Sequence, residues 1–335
     1  MTPDQLRILL CRLGDSIRDA IWESRAADTS EHSAVAHQSA SDTIYAIDKI
    51  SEQTILTWFE QNWPASEPVE LIMEGSEDVG PLTFPTVPVD ATKWKCIIDP
   101  IDGTRGIMYD KRSAWALIGL APQHGVDTRL SHIIVAAMTE LPTSKQWRAD
   151  QISAVRGQGI TAQSFHLLER HTLPLVLTAT KATDFLHGFS SFCKFFPEGR
   201  VLTATIEEKL WDTLYGLGSA KSPRIFDDQY ISTGGQFYEL LCGHDRLIAD
   251  VRPLVLKRCG LDDSLVCHPY DACCALLLEE AGVIYEAPFG GFPDAPLDTT
   301  SSVSWVAYGN KALADKARPA MQKILQEVLT YDSEP

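Results

Sequence analysis

Cys96-Ile97-Ile98-Asp99-Pro100-Ile101-Asp102-Gly103-Thr104-Arg105-Gly106-Ile107-Met108 is the stretch from which the rest of the chain can be read. An apolar run ends in two carboxylates three positions apart, and Gly-Thr follows at once. Residues 94–98 fit a buried strand. Pro100 has no N–H with which to continue a central strand, so the chain is expected to turn at Asp99. Gly103 permits a tight backbone, and Thr104 suits the N-cap or first turn of a helix. Two carboxylates and several backbone N–H groups thus reach one point. Carboxylates collect hard divalent cations, and helix-start N–H groups collect phosphate. Taken alone, Asp and Gly at a strand end are also ordinary turn chemistry.

Composition narrows the classes. The chain has 335 residues and a formal charge of -16. Its length suits one large or two moderate domains with a sizeable core. The charge disfavours nucleic-acid polymers and anionic membranes as partners. An anionic substrate is compatible with it if bound cations reverse the field locally. Eight cysteines occur without Cys-x-x-Cys or zinc-like His spacing, and all are expected to be free thiols in a reducing compartment. Cys273 and Cys274 suit buried small positions on a helix. No signal peptide or bilayer-length apolar run is visible, so a cytoplasmic location is expected.

Four stretches, in order, resemble the inositol monophosphatase superfamily of metal-dependent, lithium-sensitive phosphatases. Asp99-Pro100-Ile101-Asp102-Gly103-Thr104 resembles its signature. Asp42-Thr43-Ile44-Tyr45-Ala46-Ile47-Asp48 resembles its early Asp-rich helix start. Ile72-Met73-Glu74-Gly75-Ser76-Glu77 resembles its Gly-Glu-Glu segment. Pro269-Tyr270-Asp271-Ala272-Cys273-Cys274, leading to Glu279-Glu280-Ala281-Gly282-Val283, resembles its Trp-Asp-x-Ala-Ala segment and the Glu-Ala-Gly beyond. The Asp-x-Asp-Gly-Thr of haloacid-dehalogenase-type phosphatases does not fit, because Pro100 stands where their nucleophilic Asp would be. Two departures from the family pattern stand out: Gly75 replaces its second Glu, with Glu77 as a nearby charge, and His37 lies where Lys is frequent. His37 otherwise reads as a solvated loop histidine.

The resemblance implies an α+β layered sandwich (α-β-α-β-α), with a mostly antiparallel first sheet and a mixed second sheet. Residues 1–165 would carry most metal ligands, and residues 166–335 would close the site with Asp271. It implies two to three Mg2+ ions held by Glu74, Asp99, the Ile101 carbonyl, Asp102 and Asp271, with Asp48 helping to hold the weakest. Glu74 and Thr104 would activate water. Asp102, Gly103, Thr104, Asp250 and Asp271 would contact substrate. The implied activity is hydrolysis of an inositol or sugar phosphate by direct in-line attack of water, in a homodimer. Members acting on 3′-phosphoadenosine 5′-phosphate carry extra length between the positions of Asp250 and Asp271, as this chain does. Residues 252–269 hold no aromatic side chain, which tilts the reading toward a polyol. A non-catalytic phosphate-binding relative is the third reading.

Elsewhere, hydropathy spacing predicts helices over 4–24, 43–60, 182–195, 205–216 and 311–329. It predicts strands over 69–73, 115–121, 133–138, 173–180, 226–231, 247–251 and 304–308, and a hairpin around Gly157-Gln158-Gly159. Residues 232–236 start a helix whose small side chains would border the substrate pocket. Asp271 opens another, which Gly282 closes.

Overall fold

The computed structural model describes residues 1–27, 35–38, 43–75, 80–219, 222–262 and 265–329. Asp42, Glu77 and the side chain of His37 lie outside that description; the His37 backbone belongs to a short strand, Val35–Gln38, where a loop is expected.

Helices and sheets stack in five layers, the α-β-α-β-α sandwich anticipated above. Pro3–Ala27 and Ala46–Asn62 form the first layer. Leu6, Leu10, Leu13, Ile17 and Ile21 recur at helical spacing and are fully buried against the first sheet. That sheet runs, edge to edge, His171–Pro174, Ile160–His166, Arg148–Val155, Val135–Leu141, Ala114–Pro122, Trp94–Asp102, Val69–Met73, Leu82–Phe84. Its neighbours are antiparallel except Val69–Met73 and Trp94–Asp102, which are parallel. The central strands are buried on both faces and read as largely apolar runs for that reason, though Val135–Leu141 buries Thr139 and Glu140 as well.

Thr233–Leu241, Pro269–Ala272 and Ala275–Glu280 fill the space between the sheets. The second sheet runs Ile225–Phe226, Gly188–Phe192, Asp245–Asp250, Trp305–Tyr308, Ile284–Glu286. Its first two pairings are parallel and its last two antiparallel. Arg200–Tyr215, Arg252–Cys259 and Lys311–Leu329 cover its outer face. All eight cysteines are free thiols, and Cys273 and Cys274 are buried. Among the described residues no helix is long and apolar enough to cross a membrane.

Several local readings need correction. The central strand does not end at Asp99 but runs on to Asp102. Its ladder jumps from Asp99↔Leu117 to Asp102↔Trp115, so Pro100 and Ile101 together face one residue. Such a bulge accommodates a residue with no N–H to donate. Residues 182–195 hold no helix; Gly188–Phe192 is a central strand there. The run expected over 173–180 is limited to His171–Pro174, which closes the edge of the first sheet past residue 165. The strand expected over 226–231 shrinks to Ile225–Phe226. The stretch after Asp250 is not simply a loop, because Arg252–Cys259 is helical.

Candidate active site

The parallel pairing of two strands builds the floor of a cleft. Met73 faces Ile98 in the register, so the next residues along, Glu74 and Asp99, emerge side by side at the same sheet end. The Glu74 N–H donates to the Ile98 carbonyl at 3.2 Å, and Gly75 then turns the chain with φ +78°. That backbone favours glycine, a local reason for the departure at this position. The Glu74 and Asp99 carboxyls are hydrogen-bonded to each other.

The bulge after Asp99 turns the chain so that Asp102 also faces the cleft. Asp99 Oδ1 accepts from the Ile101 N–H at 2.9 Å. Asp102 is gripped by the start of the helix Thr233–Leu241: Ser232 Oγ donates to Oδ2 at 2.7 Å, Gly234 N–H to Oδ2 at 2.5 Å, and Thr233 N–H to Oδ1 at 3.2 Å. A helix N-terminus stabilises a carboxylate placed there.

Asp271 arrives from the layer between the sheets. It sits in the first turn of Pro269–Ala272, where its Oδ2 accepts from the His268 N–H at 2.6 Å. This layer approaches the first sheet closely because Gly119 has no side chain; a Cβ there would lie 3.0 Å from that of Cys273. Asp99, Asp102 and Asp271 each offer a carboxylate oxygen, and these oxygens lie within 4.8 Å of one another.

Three such carboxylates repel one another. Burial first, then the charges of Glu74, Asp102 and Asp271, hold Asp99 well above the ordinary carboxylate range. Burial and the neighbouring Asp271 push Asp102 up to about 7, against the pull of its helix-start donors. Asp271 is also pushed up to about 7, chiefly by burial, while the His268 N–H and the Arg252 charge pull the other way. Crowded in this way the set favours keeping protons, and its all-oxygen chemistry fits a hard divalent ion.

The other candidates divide. Thr104 begins the short helix Thr104–Met108, after Gly103 at φ +97°. Its hydroxyl donates to the Ile101 carbonyl at 2.9 Å, with Asp48 Oδ1 farther off at 3.4 Å. The carbonyl keeps a second lone pair. Asp48 thus stands behind Thr104 rather than in the cleft wall, whereas Glu74, Ile101, Gly103 and Thr104 line it. Asp250 does not reach the cleft. It is fully buried, and Arg252 takes both its oxygens, Nε to Oδ1 at 2.9 Å and Nη2 to Oδ2 at 2.6 Å. Arg252 lines the cleft in its stead. Nor does the glycine pair at the helix start admit substrate. A Cβ on Gly234 would meet Leu117 at 2.7 Å, and one on Gly235 would meet the Tyr230 ring at 2.4 Å. Ser232 and Thr233 do border the cleft.

Among the lining residues that the sequence reading does not single out are Arg252, His268, Phe195 and Phe196. His268 precedes the first turn that carries Asp271, and its ring Nδ1 lies 2.9 Å from the Ser301 carbonyl oxygen. The Asp-x-Arg spacing at a strand end was a usable signal for Arg252. Phe195 falls at the end of the helix expected over 182–195, and Phe196 just beyond it.

No protein-family model matches the chain, and no curated protein matches it in sequence. Solved structures do match over nearly its whole length. The extragenic suppressor protein SuhB of Bartonella henselae is 13% identical, with a TM-score of 0.63 over 96% of this chain and 99% of that one. Fructose-1,6-bisphosphatase of Leishmania major is 13% identical, with a TM-score of 0.64 over 96% and 93%. An inositol monophosphatase of Zymomonas mobilis is 17% identical, with a TM-score of 0.58 over 96% and 99%. The chain has the fold these proteins share.

Proposed function

We propose that this chain is a Mg2+-dependent phosphomonoesterase. The observation that carries the reading is the convergence of Asp99, Asp102 and Asp271, from separate segments, within 4.8 Å at a cleft that Glu74 and Thr104 also line. The known activities of proteins with this fold, an inositol monophosphatase and a fructose-1,6-bisphosphatase, support it.

Asp99, Asp102, Asp271, Glu74 and the Ile101 carbonyl are the groups suited to hold two or three ions, with Asp48 behind them. Bound divalent cations supply charge to the phosphoryl oxygens and lower the proton affinity of water. The chain's own residues do the rest. The Thr104 hydroxyl gives its hydrogen to Ile101, so its oxygen is left to accept one from an attacking water. The Glu74 carboxylate takes the other proton. As the water oxygen bonds to phosphorus, the ester P–O bond breaks on the opposite side. The leaving alkoxide takes a proton from solvent, giving inorganic phosphate and an alcohol. Backbone N–H groups at Gly103 and Thr104 are suited to the phosphoryl oxygens. Attack is direct and in line, without a phosphoenzyme; Pro100, standing where the nucleophilic Asp of an Asp-x-Asp pattern would be, supports this.

The test is phosphate release in Mg2+ from inositol 1-phosphate, fructose 1,6-bisphosphate and 3′-phosphoadenosine 5′-phosphate, with Asp99→Asn alongside. The wild type is expected to turn over at least one ester and Asp99→Asn none, with its fold intact by circular dichroism. Near-normal activity in folded Asp99→Asn rules the assignment out, and phosphate binding without release favours a non-catalytic binder.

A further inference from the structure

Beside the carboxylate cleft lies a second cavity of about 220 Å³, and the two share Phe195, Phe196 and Arg252 in their walls. Its inner wall is apolar, built from the buried side chains of Cys193, Val255 and Leu256. Phe195 and Phe196 are half-buried and meet edge to face, with ring centroids 6.3 Å apart. The loop that carries them is seated on the helix Arg252–Cys259: Gly199 has φ +69°, and a Cβ there would lie 2.6 Å from Val255. Arg252 forms the partition between the cavities. Asp250 holds its guanidinium through two hydrogen bonds, and its face lies 4.8 Å from the Phe195 ring centroid. Of the polar groups in the wall, Lys194 is committed to Glu207 and Asp227 and the buried Thr203 hydroxyl to the Gly199 carbonyl, while Glu198, Arg200 and Asp262 are exposed at the rim.

Hydroxyl groups entering such a space give up water for few partners. A flat ring laid against the phenylalanines buries apolar surface and gains an aromatic contact. Apolar cavities of about 150 Å³ hold a benzene ring, so the size is sufficient. The aromatic surface missing from residues 252–269 is therefore present, supplied by another part of the chain.

We propose that this annex is the leaving-group subsite: the substrate is a phosphate monoester whose alcohol carries a flat, largely apolar ring. The inference rests on the phosphomonoesterase reading and adds no chemical step. The same P–O bond breaks, and the ring alcohol departs with the proton.

The test compares 2-naphthylmethyl phosphate with inositol 1-phosphate in Mg2+, two esters whose alkoxides are both of the alkyl type. The expected kcat/KM favours the naphthylmethyl ester by at least about tenfold, or ~1.4 kcal/mol. Phe195→Ala and Phe196→Ala are each expected to shrink that preference, mainly through KM. An adenosine 3′-monophosphate arm tells a nucleobase from a hydrocarbon ring: a Phe-dependent preference for the naphthylmethyl ester supports the proposal, and one for the nucleotide alone overturns it. Turnover of both esters without preference, or variants that slow both alike, overturns the annex and leaves the phosphomonoesterase reading standing. Release from no ester sinks that reading instead. Should the variants fail to fold, wild-type binding of 2-naphthylmethylphosphonate against methylphosphonate decides by calorimetry: about tenfold tighter supports the annex, and equal affinity overturns it.

Discussion

Chelating divalent cations is expected to destabilise this protein at about pH 8 and hardly at all near pH 4. The cause is the crowding of Asp99, Asp102 and Asp271. Burial, with the charge of neighbouring carboxylates, pushes Asp102 and Asp271 up to about 7 and Asp99 well above its ordinary value. An unfolded Asp titrates near ~3.9. Between those values the native state keeps protons that the unfolded state has lost. For these groups, cation-free stability is full below the unfolded value, falls as pH rises through the interval, and flattens above the folded value. A rise of about three units is worth ~4 kcal/mol for one group titrating alone. The carboxyls share a site, so the cluster as a whole is expected to lose on the order of that amount, not its multiple. A bound cation replaces the protons and cancels the loss. At roughly 2 °C per kcal/mol for a large domain, the Tm gap between Mg2+-saturated and EDTA-treated protein should grow from near zero at about pH 4 to roughly 5–10 °C at about pH 8. Scanning fluorimetry across that range reads the gap. Asp245 is also pushed up to about 7, but it lies at the far end of its strand from Asp250 and contributes equally with and without cation. A gap independent of pH, or one that widens toward acid, refutes the reasoning.

Two substitutions probe how the cleft is built. Arg252→Ala leaves the fully buried Asp250 without its partner and is expected to cost about 3–5 kcal/mol in urea unfolding, part of it restored by adding Asp250→Asn; an unchanged midpoint would count against the buried pair. Gly234→Ala puts a methyl 2.7 Å from Leu117, 2.9 Å from the Trp115 Cβ and 3.1 Å from Asp102 Oδ2. It should lower stability by about 1–3 kcal/mol and weaken Mg2+ binding by calorimetry, whereas wild-type affinity would remove Asp102 from the ligand set.

Much of the site could be read before the fold, because its chemistry is concentrated at strand ends and helix starts. Glu74, Asp99, Asp102 and Asp271 each follow an apolar run or open a helix, so local pattern and resemblance located them together. What escaped depended on distant neighbours. Phe185, Phe189 and Phe192 sit at spacings that suit a helix face, yet the segment is a strand because Asp245–Asp250 pairs beside it in parallel. That non-local pairing also moved Phe195 and Phe196 into the cleft wall. Asp250, which the resemblance places at the substrate, instead has both its oxygens occupied by the fork of Arg252, two residues on. Pro100 has the chemistry of a strand terminator, but a bulge lets the strand continue past it.

The account depends above all on cations being held between the carboxylates of Asp99, Asp102 and Asp271. A crystal of the protein soaked in Mn2+, with diffraction data collected at the manganese edge, tests this directly. Anomalous peaks among those three side chains, lost on exchange into EDTA, are the predicted result; a manganese-soaked crystal with no peak there contradicts it.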